Sequence, residues 1–161
     1  MKKLFEILDS DDDNQVCDAM VGYYNDIYHY LVKNKSILTT IFNIPDIVVV
    51  RDSDNWEDLV RSDVAEQLEI NIEDVMQDQI SGEVQINLKF QLETKDITAL
   101  NQLLLNEGLT LIRGLDILKN ILKEKYKIGS KVRLSVHIDN LIDIDTRQPT
   151  DYFLLISFYK V

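Results

Sequence analysis

Cysteine is almost missing from this chain: Cys17 stands alone among 161 residues. One thiol cannot build an internal disulfide framework or a cysteine-rich zinc site, and a reducing compartment suits such usage. Proline (two) and glycine (five) are also scarce, which leaves no stretch that reads as a long flexible linker. A single domain spanning 1–161 is therefore expected, long enough to bury roughly 70% of its unfolded surface. No run approaches the ~18 consecutive apolar residues of a membrane span. The opening MKKLFEILDSDDD starts like a signal peptide, but Glu6 interrupts its apolar run and aspartates follow, so no useful h-region forms. The expectation is a cytoplasmic protein without membrane insertion. Phosphate-binding loops, G-x-G-x-x-G fingerprints and G-x-S-x-G nucleophile elbows are missing too, and no cofactor is expected.

Acid is what the chain has in excess. The net charge is −11, and it is unevenly spread: residues 1–100 carry 8 Lys/Arg against 21 Asp/Glu, whereas residues 101–161 carry 9 against 7. Duplex-binding affinity comes from neutralising phosphates, so the acidic first part argues against nucleic acid as a partner. It permits basic protein partners and favours solubility.

Periodicity supplies the elements. Asn14 to Lys33 reads as a helix with two adjacent apolar stripes, one through Val16, Met20, Ile27 and Leu31, the other through Cys17, Val21, Tyr24, Tyr28 and Val32. So wide a face is either enclosed on two sides or shared with a partner. Pro45 breaks the helical pattern, and Ile47 to Val50 reads as a short buried strand. Asp54 and Glu57 have capping-box spacing for a helix from Asn55 toward Gln67, continued or restarted near Asn71. Ser81-Gly82 signals a turn. From there Val84, Ile86, Leu88, Phe90 and Leu92 alternate with polar residues, marking a strand with one wet face. Asp96 caps the next helix, Gly108 is placed as its C′ glycine, and Ile128-Gly129-Ser130 stops the longer helix that follows. Val132 to Asp139 alternates again, TRQPTD turns, and YFLLISFYKV closes as a central or doubly covered strand. The fold class expected is α+β or mixed α/β: about four strands with helices packed on the sheet and a C-terminal β-hairpin.

Several constellations invite chemistry. DSDDDNQVCDAM begins like a calcium-binding loop, but Met20 sits where a bidentate glutamate is needed and Asn14 replaces the turn glycine. A helix cap at Asp12 or Asp13 explains the cluster better. Asp46 with Glu93-x-Lys95 is a poor version of a metal-dependent nuclease signature, set on an acidic surface that would repel substrate. His137, Asp139, Asp143 and Asp145 could hold a metal for a hydrolase, although turn chemistry accounts for most of them. Cys17 lies on an apolar stripe, where a thiol behaves as a small hydrophobe. No catalytic and no metal-binding residues are assigned.

The candidate partner-binding residues are Tyr23, Tyr24, Tyr28 and Tyr30, because exposed tyrosines anchor interfaces. To them we add Lys119, Lys123 and Lys127, spaced i, i+4 in the basic stretch LKNILKEKYKIGSKVRL. That stretch suits an acidic partner or the acidic half of another copy. Residues 83–138 run as strand (VQINLKFQL), short helix, Gly108, longer helix (LTLIRGLDILKNILKEKY) and strand (KVRLSVHI). This order resembles a module in the wedge subunits of contractile injection baseplates, such as the G subunit of type VI secretion, and IFNIPDIVVV resembles the stretch before it. The resemblance implies a non-catalytic assembly part. The expected function is thus a non-enzymatic, acidic protein-interaction or assembly module, such as a subunit of a secretion or injection machine. An immunity protein or secretion chaperone binding a basic partner is the alternative within that class, and a metal-dependent hydrolase the alternative outside it.

Overall fold

The computed structural model describes residues 3–77, 85–106 and 108–160, the side chains of 71–77 and 110 aside. The turn expected at Ser81-Gly82 lies outside the described residues. Among the described residues ten elements follow in order: α1 (Leu4–Leu8), α2 (Asp13–Lys33), α3 (Lys35–Phe42), β1 (Val48–Val50), α4 (Trp56–Gln77), β2 (Gln85–Glu93), α5 (Ile97–Asn106), α6 (Leu109–Lys125), β3 (Val132–Ile142) and β4 (Pro149–Lys160). The architecture is α+β, with a four-stranded antiparallel sheet in the order β1-β2-β4-β3 and a β3–β4 hairpin at the C-terminal end.

Local chemistry starts and stops these elements. Asp12 is the N-cap of α2, its carboxylate accepting the Asn14 and Gln15 N–H groups at 3.1 and 3.3 Å; those donors have no intrahelical partner. Asp96 does the same for α5 through the Ala99 N–H at 3.0 Å. Ahead of α4 the carboxylate that takes backbone N–H groups is Asp52, not Asp54, and it holds the turn leading into the helix. It accepts from the Asp54 and Asn55 N–H groups, while Glu57 turns to Arg61, one helical turn on. The helix is continuous through Asn71. Gly108 is not a C′ residue either. Its φ of −73° and ψ of 158° are extended, and its carbonyl accepts the Leu111 and Ile112 N–H groups to open α6.

The stop of α6 falls two residues before Gly129. The Ile128 N–H reaches the Lys123 carbonyl at 2.9 Å and the Lys127 N–H reaches Glu124 at 3.3 Å. This is the Schellman pairing, which places C′ in the left-handed region. Lys127 occupies it with φ 51°, where a Cβ is sterically disfavoured.

The alternation read from the sequence decides which face of the sheet is covered. Ile86, Leu88, Phe90 and Leu92 of β2 share one face with Leu154, Ile156 and Phe158 of β4 and with Val132 and Leu134 of β3. All are buried in a hydrophobic core that continues into Met20, Ile27 and Leu31 of α2, Phe42 of α3, Leu100 of α5 and Leu118 of α6. The YFLLISFYKV segment is central, as expected. β1 is a short strand at the edge of the sheet: Ile47 and Val49 are buried, and among the described residues Val48–Val50 pairs with Gln91–Glu93. Farther along that edge of β2 a side chain takes the place of a strand at Asn87. The Gln67 carboxamide of α4 accepts the Asn87 backbone N–H at 2.5 Å and donates to the Asn87 carbonyl at 3.1 Å. It replaces the peptide group that a neighbouring strand would offer.

Two glycine exchanges of opposite sign test this packing. A Cβ on Gly114 would sit 2.8 Å from the Ile41 side chain and 3.2 Å from its backbone, because α6 and α3 meet there. Gly114→Ala is expected to cost about 1–3 kcal/mol in urea unfolding despite its better helix propensity. Lys127→Gly is expected to relieve the left-handed conformation and gain about 1 kcal/mol.

Candidate partner-binding surface

The tyrosines of α2 divide between core and surface. The Tyr24 ring lies flat on Phe90 of β2, with centroids 4.6 Å apart and planes 6° from parallel, and Trp56 of α4 stacks beyond it at 5.9 Å. Next comes the Arg51 guanidinium, 4.2 Å from the Trp56 ring centroid and 4.1 Å from that of Tyr28. Its Nη1 donates to Asn25 Oδ1 at 2.8 Å. A continuous stack, Phe90–Tyr24–Trp56–Arg51–Tyr28, thus runs from sheet to surface. Tyr23 packs edge-on against Tyr126 at 5.1 Å and leans on Phe158 at 6.3 Å. Tyr23 and Tyr24 are only 3% and 6% exposed, so their assignment to a partner surface is corrected. The breadth of the α2 face is explained by enclosure between the sheet and the helices α1, α3 and α4. Burial pushes both phenols above their ordinary pKa, with Arg51 opposing the shift at Tyr24. Tyr28 and Tyr30 are half-buried, and Tyr30 receives Lys125 over its ring at 4.9 Å.

Part of the basic stretch is spent inside the chain. The Tyr126 hydroxyl donates to Asp26 of α2, and Lys125 Nζ lies 3.7 Å from the same carboxylate. Burial first, and then the bond to Asp26, raise the Tyr126 phenol far above its usual range. Lys119 and Lys123 are half-buried on α6, and Lys127 is exposed in the turn that follows. Among the described residues these three lysines form no ion pair. Helical spacing places Lys119 and Lys123 on the flank opposite Gly114, Ile117 and Ile121, which face α3.

The aspartates serve turns and caps. Asp143 Oδ1 accepts the Asp145 and Thr146 N–H groups at 2.8 and 3.3 Å, while its own N–H and carbonyl close the β3–β4 loop on Gln148 and Arg147. Asp145 is exposed at the loop, and Asp139 and His137 sit on β3, His137 Nδ1 lying 3.3 Å from Ser135 Oγ. Asp9 pairs with Lys160, away from the Asp12 cap. Among the described residues, no three His, Cys, Asp or Glu side chains come together to hold a metal ion. Cys17 is buried with its thiol toward the Arg61 carbonyl, 4.0 Å away, and burial raises its pKa; a nucleophile needs the opposite shift.

Asp46 does meet the Glu93-Thr94-Lys95 segment, although a whole helix separates them in sequence. One carboxylate oxygen accepts the Thr94 hydroxyl at 2.5 Å and the other the Lys95 backbone N–H at 2.7 Å. The pairing of Val48 with Glu93 forces this meeting. It makes Asp46 a clasp on the β2–α5 loop.

The surface that sequence reasoning missed lies at the far end of the hairpin. Leu104 and Leu105 of α5 face Ile138, Ile142 and Pro149 across a cleft of about 530 Å³. Asn101 and Tyr152 also line it, and among the described residues Asn101 Oδ1 and the Tyr152 hydroxyl, both buried, have no hydrogen-bond partner. Around it Leu105 is 83% exposed, Ile142 58% and Ile144 92%. The available signal was the pair of isoleucines, Ile142 and Ile144, set among turn aspartates in LIDID. Among the described residues no helix is long and apolar enough to cross a membrane. No protein-family model, curated protein or solved structure matches the chain.

Asp46 offers a pH test. The bonds from Thr94 and then Lys95 hold its carboxyl below the usual carboxylate range. A depressed pKa contributes stability above the unfolded value, and loses it as pH falls through the folded value. Asp46→Ala is therefore expected to be less stable than the parent at neutral pH in thermal melts. The difference should vanish in acid, below the ordinary aspartate range.

Proposed function

We propose that this chain is a non-enzymatic protein-interaction or assembly module that works in the cytoplasm, with proteins and not nucleic acids as partners. The observation that carries the reading is the hairpin end: exposed Leu105, Ile142 and Ile144 beside a buried hydroxyl and carbonyl left without partners. Grouped exposed apolar side chains mark interaction sites, and an orphaned buried polar atom costs about 1–3 kcal/mol that a docked group can recover. The half-buried Tyr28 and Tyr30 and the lysines Lys119, Lys123 and Lys127 supply secondary polar contacts. A subunit of a secretion or injection machine is one form of such a module, and the resemblance of residues 83–138 to baseplate wedge subunits favours it.

Affinity capture from source-cell lysate, with the parent chain and with Ile144→Asp and Leu105→Asp as baits, tests the reading. Both positions are exposed, so both variants should melt like the parent. Proteins retained by the parent at low salt and released by the variants are the expected outcome. Equal profiles for all three baits, or no retained protein at all, would sink it.

A further inference from the structure

The two edges of the sheet are treated differently. The β1/β2 edge carries a three-residue strand and, at Asn87, the Gln67 carboxamide. The other edge is β3, with 11 residues, no proline, and a register shift only at Leu141/Ile142. Short strands, prolines and bulges are what usually discourage edge pairing.

The ladder shows which groups that edge presents. In an antiparallel strand the N–H and C=O of one residue point to the same side, and successive residues alternate. Asn87 gives both groups to Gln67, away from β4. The even-numbered residues of β2 therefore bond to β4, and register assigns them Tyr152, Leu154, Ile156 and Phe158. The odd-numbered residues of β4 then bond to Asp139, His137, Ser135 and Arg133 of β3. What remains outward is the backbone of Val132, Leu134, Val136, Ile138 and Asn140. Among the described residues the Asn140 N–H donates to Asp139 Oδ1 at 2.9 Å, and no hydrogen bond reaches the backbone groups of Val132, Leu134, Val136 and Ile138.

We propose that two copies of this chain join antiparallel through β3, with Val136 on the two-fold axis. In that register Leu134 bonds Ile138 of the second copy and the Val132 N–H reaches the Asn140 carbonyl, so apolar side chains meet on the covered face. On the other face Arg133 lies opposite Asp139 of the second copy, and Ser135 opposite His137, each twice by symmetry. Arg133 and Asp139 are both exposed in the single chain, and the Arg133 guanidinium lies over Tyr159, 4.7 Å from the ring centroid. Charge complementarity favours this alignment over its neighbours: moving the axis to His137 would set Arg133 against Leu141 and Asp139 against Ser135. The joint makes one eight-stranded sheet with both helical layers on the same side. This inference rests on the assembly-module reading and names one of its partners, the chain itself.

Sedimentation equilibrium over a range of protein concentrations, paired with amide hydrogen exchange, tests it. A reversible dimer is expected, with the Leu134, Val136 and Ile138 amides slowing as concentration rises. The Ser135, His137 and Asp139 amides should be slow throughout. Arg133→Glu and Asp139→Lys should each weaken the dimer roughly ten-fold, two like-charge contacts replacing two opposite ones. The double variant should restore it, which a mere folding defect would not allow. A monomer at every concentration, or a double variant no better than the singles, overturns the proposal. So does protection of the outward amides only on adding a foreign acidic protein. If the chain is monomeric while Ile144→Asp still releases partners in the capture experiment, self-pairing fails and the module reading stands.

Discussion

Phe90 of β2 lying flat against Tyr24 of α2 is the contact on which the other arrangements hang, because it joins the sheet to the helical layer at the centre of the core. Aromatic rings bury more apolar area than other side chains, and a parallel offset pair adds about 0.5–1.5 kcal/mol beyond that area. Once Tyr24 is on Phe90, helical geometry turns Tyr23 toward Phe158 and Tyr126. It also brings Tyr28 out to the Arg51 guanidinium. Trp56 completes the stack and sets the start of α4 beside α2. From there α4 delivers Gln67 to the open edge of β2. One ring pair therefore orders two helices, a buried aromatic cluster and the closure of a sheet edge.

That closure makes the sheet asymmetric. Asn87 is tied on both sides: its backbone to Gln67, its side-chain carbonyl to the Ser157 hydroxyl at 2.6 Å and to Gln85 Nε2 at 2.8 Å. Ser157, fully buried on the face that also carries Lys89 and Arg133, is thereby satisfied. The network spans β2 and β4 and stops before β3, whose outward backbone from Val132 to Ile138 is left to solvent or to another strand. The hairpin end is likewise unfinished, with apolar side chains in water and two buried polar atoms unpaired. Satisfied polar groups are thus concentrated at the β2 side of the molecule and incompleteness at the β3 side.

The acidic excess acts in two ways. Many carboxylates do local structural work: Asp12, Asp52, Asp96 and Asp143 accept backbone N–H groups, and Asp46 clasps a loop. Others pair with the basic segment, as Asp26 does with Lys125 and Tyr126. A carboxylate occupied by backbone donors is held for geometry and not for proton transfer or metal ligation. This explains how a chain so rich in aspartate brings no metal-holding group together among its described residues.

Sequence alone settled what depends on neighbours a few residues apart. Alternation marked β2 and β3, an apolar run marked β4, the 3.6 period marked α2 and α6, and short-side-chain acids at helix starts marked the caps at Asp12 and Asp96. It misjudged Asp54, Gly108 and Gly129, where the deciding dihedrals are set by what the chain packs against: the left-handed stop fell on Lys127, an unlikely residue by propensity. It could not say which way α2 turns its tyrosines, because a broad apolar face looks the same whether helices or a partner cover it. Strand order, the Gln67–Asn87 clamp, the Asp46–Thr94 meeting and the unfinished hairpin end join residues tens of positions apart. Those pairings arise only when distant strands compete for the same hydrogen bonds and the same core, and tertiary packing alone decides that competition.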